Sequence, residues 1–313
     1  MKKRRLKKSA IIAFAAIVLF IVMLISIIMF VKHINSSEYK LEKIGYNEKQ
    51  INEIIKLKKD DFFLNHDYNE SYLPLMNEKY YLEKNLNNYL SYINDLKKEK
   101  KKIDYSDVIA RVNVKATNGF YKNTKEADVK KGNEILVNKF YYLTKDYSPS
   151  DIVDMSNWYA FEGRKIKKEV YDAFIEMYNA AKKDNLTLIA NSGYRDYNYQ
   201  TRLYDEYKDR DGTEYADTYA ARPGYSEHQT GLALDIVSYG ATMENFDKTD
   251  TFKWLQDNAA DYGFILRYPK DKEYLTGYSY ESWHYRYLGK ELAKKVKDSG
   301  LTYDEYYAYY LDK

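Results

Sequence analysis

The sequence predicts an α+β fold preceded by one membrane-spanning helix and a polar helical stalk. Three observations carry this expectation: one long apolar run near the N-terminus, a change near residue 104 from polar helical patterning to short strands mixed with helices, and no regular strand-helix-strand rhythm of the kind a parallel sheet needs. At 313 residues the chain has room for one domain of ordinary size plus attachments, since single cores usually take about 100 to 200 residues.

Residues 1–9 form a basic tail, with Lys2, Lys3, Arg4, Arg5, Lys7 and Lys8 supplying more positive charge than the formal net of +3 for the whole chain. The remainder is therefore net acidic, which argues against a nucleic-acid partner. Residues 10–31, from Ala10 to Val31, are apolar except for Ser26. At about 1.5 Å per residue this run makes roughly 33 Å of helix, enough to cross a bilayer core. A cleaved signal peptide is the rival reading, but its apolar core is usually only about 7 to 15 residues, and Met29-Phe30-Val31-Lys32-His33 offers no small-residue cleavage pattern. The tail is expected to stay in the cytoplasm under the positive-inside rule, which places everything after Lys32 across the cell membrane in a single-pass, N-in arrangement. With no cysteine, the chain uses neither disulfides nor a lipid-modified cysteine anchor. The 37 tyrosines scatter through every segment and read as compositional bias.

Residues 32–103 are expected to form a helical stalk or linker. Asn47 can cap a helix carrying Ile51, Ile54 and Ile55, and the run Tyr81 to Leu96 sets Leu82, Leu86, Tyr89, Leu90 and Ile93 on one face. Lys97 to Lys102 read as an exposed connector. Residues 104–313 are expected to form the extracytoplasmic domain, with its core at 134–290. Val108–Val114 and Ile135–Leu143 are predicted strands, Ile166 to Lys183 a helix with a stripe of Val170, Phe174, Tyr178 and Ala181, and Leu186–Ala190 a buried strand broken by Ser192-Gly193. Further helices are predicted over Asn198–Lys208 and Thr249–Tyr262, the latter stopped by Gly263. A last pair is expected between Lys290 and Lys313, where Thr302 and Glu305 form a capping box.

Two short stretches hold the histidines of this domain: Ser226-Glu227-His228-Gln229-Thr230-Gly231-Leu232-Ala233-Leu234-Asp235 and Glu281-Ser282-Trp283-His284-Tyr285-Arg286-Tyr287. Hydrolytic zinc is commonly held by three protein ligands and keeps a fourth position for water, whose pKa falls to about 7. His228, Asp235 and His284 supply three ligands. The spacing of His228 and Asp235 suits a turn bent at Gly231 followed by a strand, with Leu232, Leu234 and Ile236 opposite Asp235; alternation then sets His284 and Arg286 on one strand face. Each of these residues alone could be an ordinary hydrogen-bonded side chain, but together they favour metal binding. Glu281 is not needed as a ligand and suits a general base and acid, with orientation of an imidazole as the rival role. Arg195 follows the end of a predicted strand, where it could meet an oxyanion or a substrate carboxylate or simply be exposed.

Ser-x-His-x-x-Gly-x-Ala-x-Asp at Ser226 to Asp235, Glu-x-Trp-His at Glu281 to His284 and Ser-Gly-Tyr-Arg at Ser192 to Arg195 together resemble the VanY-type D-alanyl-D-alanine carboxypeptidases, zinc peptidases of the bacterial cell wall. The resemblance includes Val137–Tyr141 and Gly263–Tyr268. It implies a small antiparallel sheet carrying the zinc site, flanked by helices in the D,D-peptidase/hedgehog-like manner. It also implies Zn2+ on His228, Asp235 and His284, Glu281 as catalytic base, Arg195 as a charge-stabilising or substrate residue, and Gln200 and Ser226 as substrate-pocket positions. The expected partner is a peptidoglycan stem peptide, from which the terminal D-alanine is removed without a covalent acyl-enzyme; the membrane is met only through the N-terminal helix. The alternatives are an L,D-carboxypeptidase, an endopeptidase on the same stems, or a non-catalytic wall-binding protein with structural zinc.

Overall fold

The computed structural model describes residues 8–312, so the basic residues Lys2 to Lys7 lie outside it. The chain divides into two compact units, Met1–Tyr81 and Leu82–Lys313. In the first, α1 (Lys8–Ile34) is a helix of 27 residues with no buried side chain. By length and apolarity it could cross a membrane, a test that signal sequences also pass. Four short helices follow, α2 (Ser37–Ile44), α3 (Glu48–Leu57), α4 (Asp60–Leu64) and α5 (Tyr72–Asn77). Asn47 caps α3 as predicted: its side chain accepts from the Gln50 amide, and the Gln50 side chain accepts from the Asn47 amide. Ile51 and Ile54 then join Leu41, Tyr46, Phe63, Leu73 and Met76 in a small core of this unit's own.

The second unit opens with α6 (Leu86–Lys98) and α7 (Tyr105–Asn113). Here the structure corrects the sequence reading, because the strand expected over Val108–Val114 is helical. Asp104 caps α7 by accepting from the Asp107 amide, and Val108, Ile109 and Val112 are buried on one helical face. Packing of that face outweighs the strand preference of branched side chains. The strand expected over Ile135–Leu143 shrinks to β2 (Tyr141–Tyr142), paired in parallel with β1 (Lys125–Glu126). Asn138 is the cause: its side-chain oxygen accepts from the amides of Phe140 and Tyr141, closing a turn inside the apolar run.

A two-stranded piece, β3 (Ile152–Asp154) with β4 (Lys165–Lys167), leads into α8 (Lys168–Lys183). Ile166 thus ends in β4 and not in the helix. The main sheet consists of β5 (Ile189–Ser192), β6 (Ala233–Val237), β7 (Phe264–Tyr268) and β8 (Glu281–Tyr287), in the order β5-β6-β8-β7 with every neighbour antiparallel. Between β5 and β6 lie α9 (Tyr197–Asp211) and α10 (Thr213–Tyr219); α11 (Asp250–Asn258) precedes β7, and α12 (Glu273–Thr276) precedes β8. The chain finishes with α13 (Lys290–Ser299) and α14 (Tyr303–Tyr306), the latter opened by the predicted Thr302–Glu305 capping box.

Strand alternation gives the sheet two different faces. Leu234, Ile236, Phe264 and Tyr285 enter the main core, where Val170, Phe174, Met177 and Ala181 of α8 meet them. Each such fully buried apolar side chain is worth about 1.5 to 3 kcal/mol. Ile265, opposite Arg286, belongs to a second core with Ala293 and Val296 of α13 and Tyr303 of α14. That second face also carries Asp235 and His284.

Candidate active site

Ser226 ends an extended segment, and Glu227–Thr230 then make one tight helical turn. Gly231 closes the turn with φ 69°, a left-handed conformation that lets the chain reverse into β6. Thr230 locks it, its hydroxyl donating to the Glu227 carbonyl and accepting from the Leu232 amide. His228 is thereby held at the mouth of β6, and Asp235 follows within the strand. Across the ladder Asp235 pairs directly with His284 of β8, while Ser192 of β5 pairs with Asp235 from the other side. The register alone therefore sets two of the expected ligands on neighbouring strands, on one face.

His228, Asp235 and His284 are all buried and offer ligand atoms that lie within 4.8 Å of one another. The Asp235 Oδ1 is 3.4 Å from His228 Nε2 and 3.2 Å from His284 Nδ1. His228 Nδ1 stands 2.6 Å from the Gly193 carbonyl oxygen. A carbonyl can only accept, so that nitrogen carries the proton and Nε2 presents its lone pair towards Asp235. Asp235 Oδ1 is buried without a hydrogen-bond partner. Two imidazoles and a carboxylate converging around an unsatisfied oxygen fit a divalent cation, and transition metals that accept nitrogen and oxygen together suit this donor set.

The electrostatics follow from that crowding. Burial works against ionising Asp235, yet the His284 imidazole, lifted towards its charged form, holds its carboxyl well below the usual range. Burial, reinforced by the Arg195 charge, pushes His228 down to about 4. His284 goes the other way: burial disfavours its charged form, but the surrounding Asp235, Glu227 and Glu281 carboxylates lift it to about 9. Glu281 lies at the start of β8 with its Oε2 at 3.4 Å from His284 Nδ1. Burial, with Asp235 and Glu227 adding to it against His284 and Arg195, raises its carboxyl to about 7.

These four residues line a cleft of about 590 Å3, and Arg195, Gln200 and Ser226 line it too. All seven residues singled out in the sequence therefore meet around one cleft. Arg195 is placed by its amide, which donates to the His228 carbonyl, and its Nε is buried without a partner. Gln200 is buried, with Nε2 donating to the Ala221 carbonyl and Oε1 left unpaired. Ser226 is buried beside them. The sequence reading missed the charges packed against this face: Glu227, Arg267, Arg286 and Asp304 are all buried and joined by ion pairs. Tyr268 was also missed; its ring lies 4.9 Å from that of His284. The usable signal for Arg286 was its place on the His284 side of β8, whereas nothing local marks Asp304.

The family model described as VanY: D-alanyl-D-alanine carboxypeptidase matches residues 163–290. The carboxypeptidase candidate YodJ of Bacillus subtilis (strain 168) is 48% identical over 179 residues, spanning 55% of this chain and 66% of that protein. A D-alanyl-D-alanine carboxypeptidase of Enterococcus faecium is 39% identical over 197 residues, 60% of this chain and 61% of its own length. The chain thus spans less than two thirds of either relative. The solved LdcB LD-carboxypeptidase superposes with a TM-score of 0.57 at 44% identity, covering 60% of this chain and 91% of that one.

Proposed function

We propose, on the premise that this chain belongs to the VanY family of D-alanyl-D-alanine carboxypeptidases, that it is a membrane-anchored zinc carboxypeptidase. It removes the terminal D-alanine from peptidoglycan stem peptides on the outer side of the cytoplasmic membrane. The observation that carries this reading is the convergence of His228, Asp235 and His284 within 4.8 Å, with Glu281 beside them in the same cleft. His228, Asp235 and His284 would hold the ion. Bound zinc supplies Lewis acidity, which acidifies water and polarises a peptide carbonyl.

The chain's own residues do the rest. Glu281 takes a proton from the attacking water and returns it to the leaving amine of D-alanine; a carboxyl raised to about 7 is suited to both transfers. The Arg195 guanidinium, with a spare buried donor on the cleft wall, binds the terminal carboxylate or the oxygen that gains charge as the carbonyl is attacked. Gln200 offers its unpaired Oε1 as an acceptor for a substrate amide, and Ser226 borders the same pocket. No serine or cysteine nucleophile is required. The apolar α1 keeps the enzyme at the membrane, with the basic tail inside.

The likeness to the LdcB LD-carboxypeptidase supports a second reading, in which the same chemistry cuts the L,D bond of a tetrapeptide stem. Synthetic penta- and tetrapeptide stems incubated with the zinc-loaded protein separate the two, with products identified by mass. Release of D-alanine from the pentapeptide ending in D-Ala-D-Ala is expected. Cleavage confined to the tetrapeptide replaces the D,D reading with the L,D one, and zinc binding without cleavage of either stem leaves only a wall-binding role.

A further inference from the structure

The charges packed against the ligand-bearing face have an arrangement that ordinary structural ion pairs do not need. Glu227, Arg267 and Arg286 have fully buried side chains. Both arginines take the same carboxylate oxygen: Arg267 Nε and Arg286 Nη1 each donate to Glu227 Oε1 at 2.8 Å. Arg267 is steadied by Asp304, to which its Nη1 donates at 2.5 Å, and Arg286 Nη2 donates to the carbonyls of Asn133 and Ile135 at 3.0 and 2.6 Å. The second oxygen, Glu227 Oε2, is left buried with no hydrogen-bond partner. It faces His284 Nε2 at 3.5 Å, and that nitrogen is likewise buried and unpartnered. An acceptor-only oxygen and an imidazole nitrogen, each otherwise orphaned, meet at the side of His284 that points away from Asp235.

We propose that Glu227 is a positioning residue for the metal site, fixing the ring angle and the tautomer of His284 through its free oxygen. A cation takes the imidazole only in its neutral form, which carries one N–H. A carboxylate at Nε2 draws the proton there and leaves the Nδ1 lone pair, 3.2 Å from Asp235 Oδ1, for the cation. His228 obtains the same result from the Gly193 carbonyl, on its opposite nitrogen. The two arginines hold Glu227 Oε1 and so leave Oε2 facing the imidazole, and Asp304 holds Arg267 in turn. Buried ion pairs of this kind are often replaceable by apolar residues at no loss of stability, so stability alone does not require them here. The inference rests on the zinc reading above and deepens it.

Glu227→Gln is the discriminating variant because volume and one oxygen are retained. If its oxygen keeps the arginines, its amide N–H2 faces His284 and selects the wrong tautomer; if it turns, the N–H2 faces two guanidinium groups. Zinc affinity, measured by chelator competition on the full chain in detergent, is expected to fall about 10- to 100-fold. Affinity within twofold of the parent overturns the inference while leaving the zinc reading intact; a parent chain that binds no zinc removes the zinc reading itself. Should the variant fail to fold, 15N-histidine NMR of the zinc-loaded parent decides. A proton on His284 Nε2 supports the proposal, and a proton on Nδ1 overturns it.

Discussion

Glu281 and Glu227 are both buried glutamates beside His284, and their different surroundings give them different work. Glu227 has two guanidinium groups on one oxygen and is held well below the ordinary carboxyl range despite its burial. Among the described residues no arginine hydrogen-bonds to Glu281, and burial raises it to about 7. A proton carrier needs the second condition and a fixed anion needs the first. Glu281→Gln is therefore expected to lower D-alanine release about 100- to 10,000-fold while zinc content stays at the parent level. Turnover near that of the parent removes the base assignment; loss of zinc along with activity moves Glu281 to a supporting role. The sequence made His228, Asp235, His284 and Glu281 legible because ligand-type residues stood in two short ordered stretches. It hid Glu227 in plain view, next to His228, because a charged residue in isolation reads as solvated, and only three-dimensional packing brings Arg267, Arg286 and Asp304 to it.

At the level of elements, the site depends on the register between β6 and β8 and on the turn that delivers the chain to β6. A one-residue slip would send Asp235 into the main core and bring Leu234 to the cleft. Gly231 protects that register. A Cβ there would lie 2.7 Å from Lys167 Cγ and 2.9 Å from Ile152 Cδ1, at a φ of +69° that side chains rarely adopt. Gly231→Ala is expected to cost about 1 to 3 kcal/mol of stability from strain and crowding, read by denaturant unfolding of the metal-free protein. An unchanged midpoint would show that Lys167 and Ile152 yield freely and that the turn is not a constraint. The sequence showed this turn, the strand after it and the capping box of α14 because each has a local signal. It failed at α7 and over Ile135–Leu143, where the same branched residues serve a helix face in one case and are cut by an Asn138 turn in the other.

Across the whole molecule, the apolar α1 and the helical core of the first unit precede a second unit that holds all seven site residues. The absence of cysteine makes the topology directly measurable. Asn52→Cys, at an exposed position of α3, gives a chain with a single thiol. With the basic tail inside, a membrane-impermeant maleimide is expected to label it in intact cells; labelling only after lysis would reverse the orientation. The buried Asp304–Arg267 pair joins residues 37 positions apart, and the later partner comes from α14, beyond every ligand. A polypeptide emerging from its N-terminus thus presents His228, Asp235 and His284 before Asp304 arrives to hold Arg267. The proposed metal site therefore draws its bracing from sequence beyond its last ligand, and a truncation before α14 is expected to loosen Arg267 while leaving every ligand in the chain.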